Sequence, residues 1–428
     1  MKNNLNIAII GLGVVGSSLV KIIENNNYVI KDTKINIVGI KANNKNKKRI
    51  FDVKKYFWID DLESLNSLDI DIIIELVGGT DTFVNSIYKY ALKRKVSLIT
   101  ANKAQLAEKG DSFFNLFDSN DLYLGFEAAV LGSVPVVNTI SKSILPKNIT
   151  SIYGIFNGTT NYILSQMYFN KISFKESLDL AIKNGFAEQN SSSDLSGKDA
   201  AHKLTLLSNL SFGKKFKFKE MSYDGIENIK LIDLNYGLQL GYKLKLLSIC
   251  EKIGSKFFAS VAPCFVKQES LLSNTNFEDN LAIIEGINFV KTSLLGKGAG
   301  GYPTASSIIS DLMNYISKDY SNVFNTKYDS MLLAKFVDTS SRKRSYYLRF
   351  SVQNKVGVLK SIANFFAKKS ISIKSIIQLN PYDSNTVPLV IITNLISDKK
   401  INEIKKLLKK NSYIKKEIST IRIEDNIG

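Results

Sequence analysis

The chain opens with short runs of consecutive apolar residues. Leu5 to Ile10, Ile35 to Ile40, Ile72 to Val77 and Val96 to Thr100 are apolar almost throughout rather than alternating. Strands that read this way are covered on both faces, as in a parallel sheet flanked by helices. Helical segments fall between them, one after Gly13 and one from about Thr82 to Lys93. A doubly wound α/β domain over residues 1–130 is the expectation.

The pattern is mixed from residue 131 to 325, and an α+β domain is expected there. Ser173-Phe174-Lys175-Glu176 is a capping box at a helix start, and Leu178, Ala181 and Ile182 supply the apolar face. Gly185 suits the left-handed position that closes this helix. A second helix should run from about Gly197 to Leu210 and stop at Gly213. The polar, serine-rich stretch Phe186 to Ser196 then lies on a surface or lines a cleft. Residues 326–344 look like a linker, ending in Ser341-Arg342-Lys343-Arg344. From 345 to 428 comes a βαββαβ pattern: Tyr346 to Val352, a helix Val358 to Lys368, Ile371 to Gln378, Val387 to Asn394, a helix Asp398 to Lys409, and Ile418 to Ile423. That order is a ferredoxin-like split unit.

A length of 428 residues agrees with two or three domains. No apolar run approaches the roughly 20 residues of a membrane span, so no membrane association is expected. Met1-Lys2-Asn3-Asn4 leads straight into the first strand without room for a secretory leader, which makes the cytoplasm the expected compartment. Cys250, in an expected helix, and Cys264, beside Pro263, lack disulfide or metal spacing and read as small buried hydrophobes. The net charge of +18 raises nucleic acid as a partner, but the lysines are scattered rather than clustered on one face. Anionic small molecules suit the charge, and no nucleic acid is expected.

Gly11-Leu12-Gly13-Val14-Val15-Gly16 follows a strand and opens a helix, the context in which a GxGxxG match carries weight. Gly11 permits the tight turn, Gly13 lets the backbone approach a pyrophosphate, and Gly16 lets the helix pack on the strand. With Val14 and Val15 they put the phosphates at a helix N-terminus, where free amides favour an anion. The domain is therefore read as Rossmann-type. NAD sites usually end the second strand in an acid that holds the ribose hydroxyl. Here it ends in Lys41, with Lys45, Lys47, Lys48 and Arg49 nearby, which favours NADP and leaves NAD possible.

Asp199 and Lys203 stand four residues apart and share one helix face. Alone they would read as a surface ion pair. Glu188 and Asp194 lie in the preceding polar loop, so three carboxylates and one lysine converge near a helix start. Ala181-x-x-x-Gly185-Phe186-Ala187-Glu188 through Asp194-Leu195-x-Gly197-x-Asp199-Ala200-Ala201-His202-Lys203 resembles the signature of homoserine dehydrogenases, with Ser191 where that family has proline. Further matches are Thr100-Ala101-Asn102-Lys103, Glu127-Ala128-Ala129-Val130, Gly154 to Tyr162 and Gly296 to Ala305.

The resemblance implies NAD(P)H-dependent reduction of L-aspartate 4-semialdehyde to L-homoserine, in the biosynthesis of threonine, methionine and isoleucine. Such a reduction needs a proton donor at the carbonyl oxygen. His202 is rotated about 100° from Lys203 on the helix and reads as structural. The resemblance implies Lys203 as the donor and Lys103 as a second catalytic or cofactor contact. It implies Asp199 and Glu188 on the substrate ammonium, Thr159 near the carboxylate and Gly300 against the nicotinamide. A monovalent cation such as sodium is implied at Glu127, Val130, Gly132 and Val134, largely through carbonyls. A lysine acid works best when burial and cationic neighbours depress its pKa.

Asn354-Lys355-Val356-Gly357-Val358-Leu359, with Ile371-Ser372-Ile373 and Gln378, resembles an ACT domain, which implies L-threonine as effector. Asn354 and Val356 replace the familiar acid and proline of its turn, so an assembly role stays open beside effector binding. A homodimer or homotetramer is likewise implied, with residues 131–325 as the substrate and dimerisation domain. Two other readings compete: a thiol-dependent semialdehyde dehydrogenase, which would need Cys250 or Cys264 as nucleophile, and a non-catalytic dinucleotide or amino-acid sensor of the same architecture.

Overall fold

The computed structural model describes residues 4–428 except 27–28, 145, 320–322, 339, 341, 379–384, 415–417, 426 and 428. Ser341 and Met1 to Asn3 therefore lie outside the described residues.

The first unit is a six-stranded sheet in the order β2-β3-β1-β4-β5-β6. Its strands are β1 (Asn4–Ile10), β2 (Val29–Ile30), β3 (Thr33–Lys41), β4 (Ile72–Glu75), β5 (Ser97–Thr100) and β6 (Leu124–Gly125). All neighbours are parallel except the short β2–β3 pair. Alternate residues of β1 enter different cores: Leu5, Ile7 and Ile9 pack on one face, Ala8 and Ile10 on the other. That is the physical reason the strand reads as a continuous apolar run. Helix α1 (Val14–Asn26) covers one face, and α2 (Thr82–Arg94) and α3 (Lys103–Ser119) the other.

The second unit holds α4 (Val136–Ser143), β7 (Ile149–Ile155), α5 (Gly158–Asn170), α6 (Phe174–Lys183), α7 (Ser192–Leu195), α8 (Lys198–Phe212), β8 (Ser222–Tyr223), α9 (Leu231–Gln239), β9 (Tyr242–Ile253), β10 (Lys256–Lys267), α10 (Leu271–Asn274), β11 (Asp279–Gly286), β12 (Val290–Lys297) and α11 (Gly301–Ile316). The capping box at Ser173 and Glu176 forms as expected, and Gly185 and Gly213 adopt positive φ after α6 and α8. Helix α11 departs from the expected division. It returns to the first domain and completes the α1 face with Ala305, Ile308, Ile309 and Leu312.

Cys250 lies in strand β9, not in a helix. It pairs with Ile152 of β7 and Ala259 of β10, so tertiary pairing decides an apolar run whose period is ambiguous. Burial pushes both thiols up to about 12.

The C-terminal unit has β13 (Lys343–Gln353), α12 (Val358–Lys368), β14 (Ile373–Gln378), β15 (Thr386–Thr393), β16 (Ile396–Ser397), α13 (Asp398–Leu408) and β17 (Ser419–Ile423). This is the expected βαββαβ order, with the short β16 added. The unit does not hang from a free tether. In the linking stretch Tyr328 is buried, Leu333 bridges Lys215 and Phe336 bridges Phe257. Strand β17 then pairs in parallel with β10, so one 11-stranded sheet passes through both units: nine strands run in the order β12-β11-β7-β9-β10-β17-β13-β15-β14, with β8 on β10 and β16 on β13 off that path.

Candidate active site

Three helix N-termini meet where the first two units adjoin. Asn102 caps α3 by accepting from the Gln105 amide at 3.0 Å, which puts Lys103 on the first helical residue after β5. Asn157 caps α5, accepting from the Thr160 amide at 2.8 Å. Gly197, at φ 81°, starts α8 and brings Asp199 into its first turn, where an acid complements the helix dipole. An added Cβ at Gly197 would meet the Asp224 carbonyl at 2.9 Å, so a side chain there is doubly disfavoured.

The buried Asp199 carboxylate is the hub. It accepts from Lys203 Nζ at 2.8 Å, from Lys103 Nζ at 3.1 Å and from Asn157 Nδ2 at 2.8 Å. Lys203 also donates to the Phe156 carbonyl at 2.9 Å, and Asn157 Nδ2 also donates to Asp194 at 2.6 Å. Burial alone would raise the Asp199 pKa, but the two lysines outweigh it and hold the carboxyl well below its usual range. Burial and the adjacent Asp199 charge raise Asp194. Attraction to Asp199 raises the Lys103 pKa against the cost of burial. Its side chain keeps 41% of its surface exposed, so it faces the cleft, while that of Lys203 keeps 9%.

Glu188 is exposed on the loop, close enough for its charge to add to the upward pull on Lys103. The Thr159 hydroxyl donates to the Phe186 carbonyl at 2.8 Å. Ser191, standing where the family has proline, is tied into the turn that follows it. It is buried, and its carbonyl accepts from the amides of Asp194 and Leu195 at the start of α7. His202 points away from the hub, as its facing required. Its Nε2 lies 2.9 Å from Glu108 and its ring 4.2 Å from that of Phe218, and burial lowers its pKa against the pull of Glu108.

The glycine loop divides its work between glycines. Gly11 has φ 113°, and its added Cβ would stand 2.6 Å from the Leu76 carbonyl; that of Gly16 would stand 2.0 Å from the Gly11 oxygen. An added Cβ on Gly13 would meet nothing within 4 Å, and Val14 is exposed beside half-buried Val15, so the loop presents open backbone. The Lys41 carbonyl accepts from the Gly11 amide at 2.8 Å, while its ammonium is turned to the carbonyls of Ile59 and Asp60. Lys45 and Arg49 lie over the Trp58 ring. Gly300, at φ 126°, starts α11, and an added Cβ on Gly301 would meet Ser18 Oγ at 2.2 Å and Val14 Cγ1 at 3.0 Å. The second glycine run therefore abuts the first.

The Glu127 carboxylate caps α4, accepting from the amides of Val137 at 2.9 Å and Asn138 at 2.8 Å. Its carbonyl accepts from the Val130 amide, and that of Gly132 from the Ser307 hydroxyl. Val130 and Val134 are buried. A cation here would have to use main-chain oxygens. Among the described residues no group of three or more His, Cys, Asp or Glu side chains is placed to hold a metal, and no helix is long and apolar enough to cross a membrane.

Sequence reasoning left Asn157 and Asp194 without roles. The signal for Asn157 was its N-cap position before Gly158-Thr159-Thr160; its second contact, to Asp199, depends on helices meeting in space.

Residues 11–126 match the family model "Homoserine dehydrogenase, NAD binding domain", residues 135–313 the model "Homoserine dehydrogenase", and residues 346–412 the model "ACT domain". A homoserine dehydrogenase of Helicobacter pylori is 36% identical over 95% of this chain and 96% of its own length. The crystal structure of a homoserine dehydrogenase from Thiobacillus denitrificans superposes with a TM-score of 0.89 at 26% identity, covering 99% of this chain and 98% of its own. That of S. aureus homoserine dehydrogenase at pH 6.5 gives 0.76 at 32% identity and covers both chains fully. With the geometry above, these likenesses show that the chain belongs to the homoserine dehydrogenases, a family of oxidoreductases.

Proposed function

We propose that the chain reduces the aldehyde of L-aspartate 4-semialdehyde to L-homoserine with a proton from Lys203. The observation that carries this reading is the shared carboxylate: Asp199 holds Lys203 and Lys103 within 3.1 Å at the meeting of three helix N-termini. A bound nicotinamide nucleotide supplies the hydride. The open Gly13 backbone and the exposed N-terminus of α1 fit a pyrophosphate, and the Gly300 turn against Val14 fits the nicotinamide end. Lys203 delivers its proton to the carbonyl oxygen as negative charge grows there, and Asp199 orients it while Lys103 stabilises the same oxygen. Glu188 and Asp199 take the substrate ammonium and Thr159 lies at its carboxylate.

The basic residues around Lys41 favour the 2′-phosphate of NADP. Because the Lys41 ammonium already has carbonyl partners, the preference over NAD is modest, and kcat/KM for the two nucleotides measures it. The Glu127, Val130, Gly132 and Val134 main chain takes a monovalent cation, the ACT unit takes an amino acid such as L-threonine, and the chain works as a homodimer or homotetramer. The test is oxidation of NADPH with the semialdehyde by wild type and by Lys203→Ala. We expect the variant to lose roughly 10²–10⁴-fold in kcat. No turnover in the wild type would sink the enzyme reading, and full turnover in the variant would sink Lys203 as the acid.

A further inference from the structure

Asn280 is wholly buried, and among the described residues neither its side-chain oxygen nor its side-chain nitrogen has a hydrogen-bond partner. Buried amides are rarely left so, because losing water without gaining a partner costs free energy. The residue sits on β11 opposite Gly296 of β12, and its neighbour Leu281 pairs with Ile155. That register sets Asn280 in the row of Phe156, whose carbonyl receives the Lys203 ammonium. Two-residue alternation puts its side chain on the face of Ala282 and Ile284, which share a core with Leu204 and Leu207 of α8.

The amide lies against the second glycine run. An added Cβ on Gly298 would fall 2.3 Å from Asn280 Oδ1 and 2.5 Å from Nδ2. From the other side, an added Cβ on Gly132 would fall 2.6 Å from the Gly298 carbonyl carbon and oxygen. Gly298 is thus held between the Asn280 amide and the Gly132 backbone. Three residues later the run begins α11 against Val14 and Ser18 of α1.

We propose that Asn280 is a positioning residue that acts through this run. Its amide offers one acceptor and two donors, the complement of a peptide group, and it takes the Gly298–Ala299 peptide as partner when the run seats against a bound dinucleotide. The inference rests on the dehydrogenase reading and extends it: nucleotide affinity depends on a side chain outside the nucleotide-binding domain.

The experiment compares wild type with Asn280→Leu, an apolar near-isostere, and with Asn280→Ala. Melting temperature is measured without nucleotide, Kd for NADPH and NADH by fluorescence, and KM apart from kcat. We expect Asn280→Leu to melt at or above the wild-type temperature, since it removes unpaired polar atoms. It should bind NADPH at least tenfold more weakly and raise KM for the nucleotide more than it lowers kcat. An amide that merely fills space beside Gly298 would leave Kd within twofold of wild type, and that result overturns the proposal. If the leucine variant does not fold, Asn280→Ala decides by the same Kd criterion. Absence of binding of either nucleotide to the wild type would also overturn it. Wild-type binding without semialdehyde reduction would instead overturn the proposed reaction and leave the Asn280 comparison intact.

Discussion

Two buried clusters of charge organise this molecule, one at the active site and one at the seam between the second unit and the ACT unit, and they use different cations. At the seam the cations are arginines. Arg349 forks onto Asp233 at 2.6 and 2.9 Å, and the Tyr347 and Ser419 hydroxyls complete the same carboxylate. Arg344 meets Glu424 at 3.0 Å, and Arg342 meets Glu251 at 3.1 Å. At the active site the cations are lysines, both on Asp199. Guanidinium stays protonated at any working pH and fixes a plane, whereas an ammonium can give up its proton. The seam's cations are fixed in charge and plane, and the role proposed for Lys203 calls for a cation that is not.

The contrast can be broken at either end. The largest effect expected is from Lys203→Arg, which keeps the charge beside Asp199 but puts a guanidinium, which does not give up a proton, in place of the ammonium. Its kcat should fall about as far as that of Lys203→Ala, roughly 10²–10⁴-fold, with the melting temperature little changed. Activity near wild type would show that the charge, not the proton, matters. At the seam, Asp233→Ala removes the carboxylate that Arg349, Tyr347 and Ser419 share and should lower unfolding stability by roughly 3–5 kcal/mol. Denaturant melts would show this, whereas a change under about 1 kcal/mol would mean the seam's other pairs suffice alone.

A third buried group sharpens the comparison because it does titrate. Burial raises the Glu127 pKa to about 7, against the amides of Asn138 and Val137 that pull it down. A carboxyl raised above its unfolded value stabilises the fold below the unfolded pKa and loses that contribution as pH rises through the folded one. Between about pH 4.5 and 7, wild type should therefore lose stability relative to Glu127→Gln, by at most about 3 kcal/mol. Parallel melting curves for the two proteins across that range would refute the shift.

Much of the fold was legible locally. The glycine loop, the capping box at Ser173 and the left-handed glycines after α6 and α8 are short-range features, and they form where the sequence puts them. The Asp199–Lys203 pair was legible because four residues make one helix face. What escaped depends on distant segments: α11 closing the first domain's face, Cys250 drawn into a strand by its neighbours, and Asn157 reaching across from another helix. The side chain of Lys41 was placed by its strand, but its ammonium went to the carbonyls of Ile59 and Asp60, partners no local pattern announces.

The parallel pairing of β17 with β10 has a consequence for the order in which the molecule is made. β17 follows every other strand of this chain in sequence, yet it lies inside the shared sheet, between β10 and β13. During synthesis the edge of β10 must wait, with only part of its length covered by β8, until the ACT unit has been translated. A ribosome stalled before residue 419 would leave the second unit's sheet with a sticky edge, so quality control of a truncated product would act on the enzyme's middle rather than on its tail.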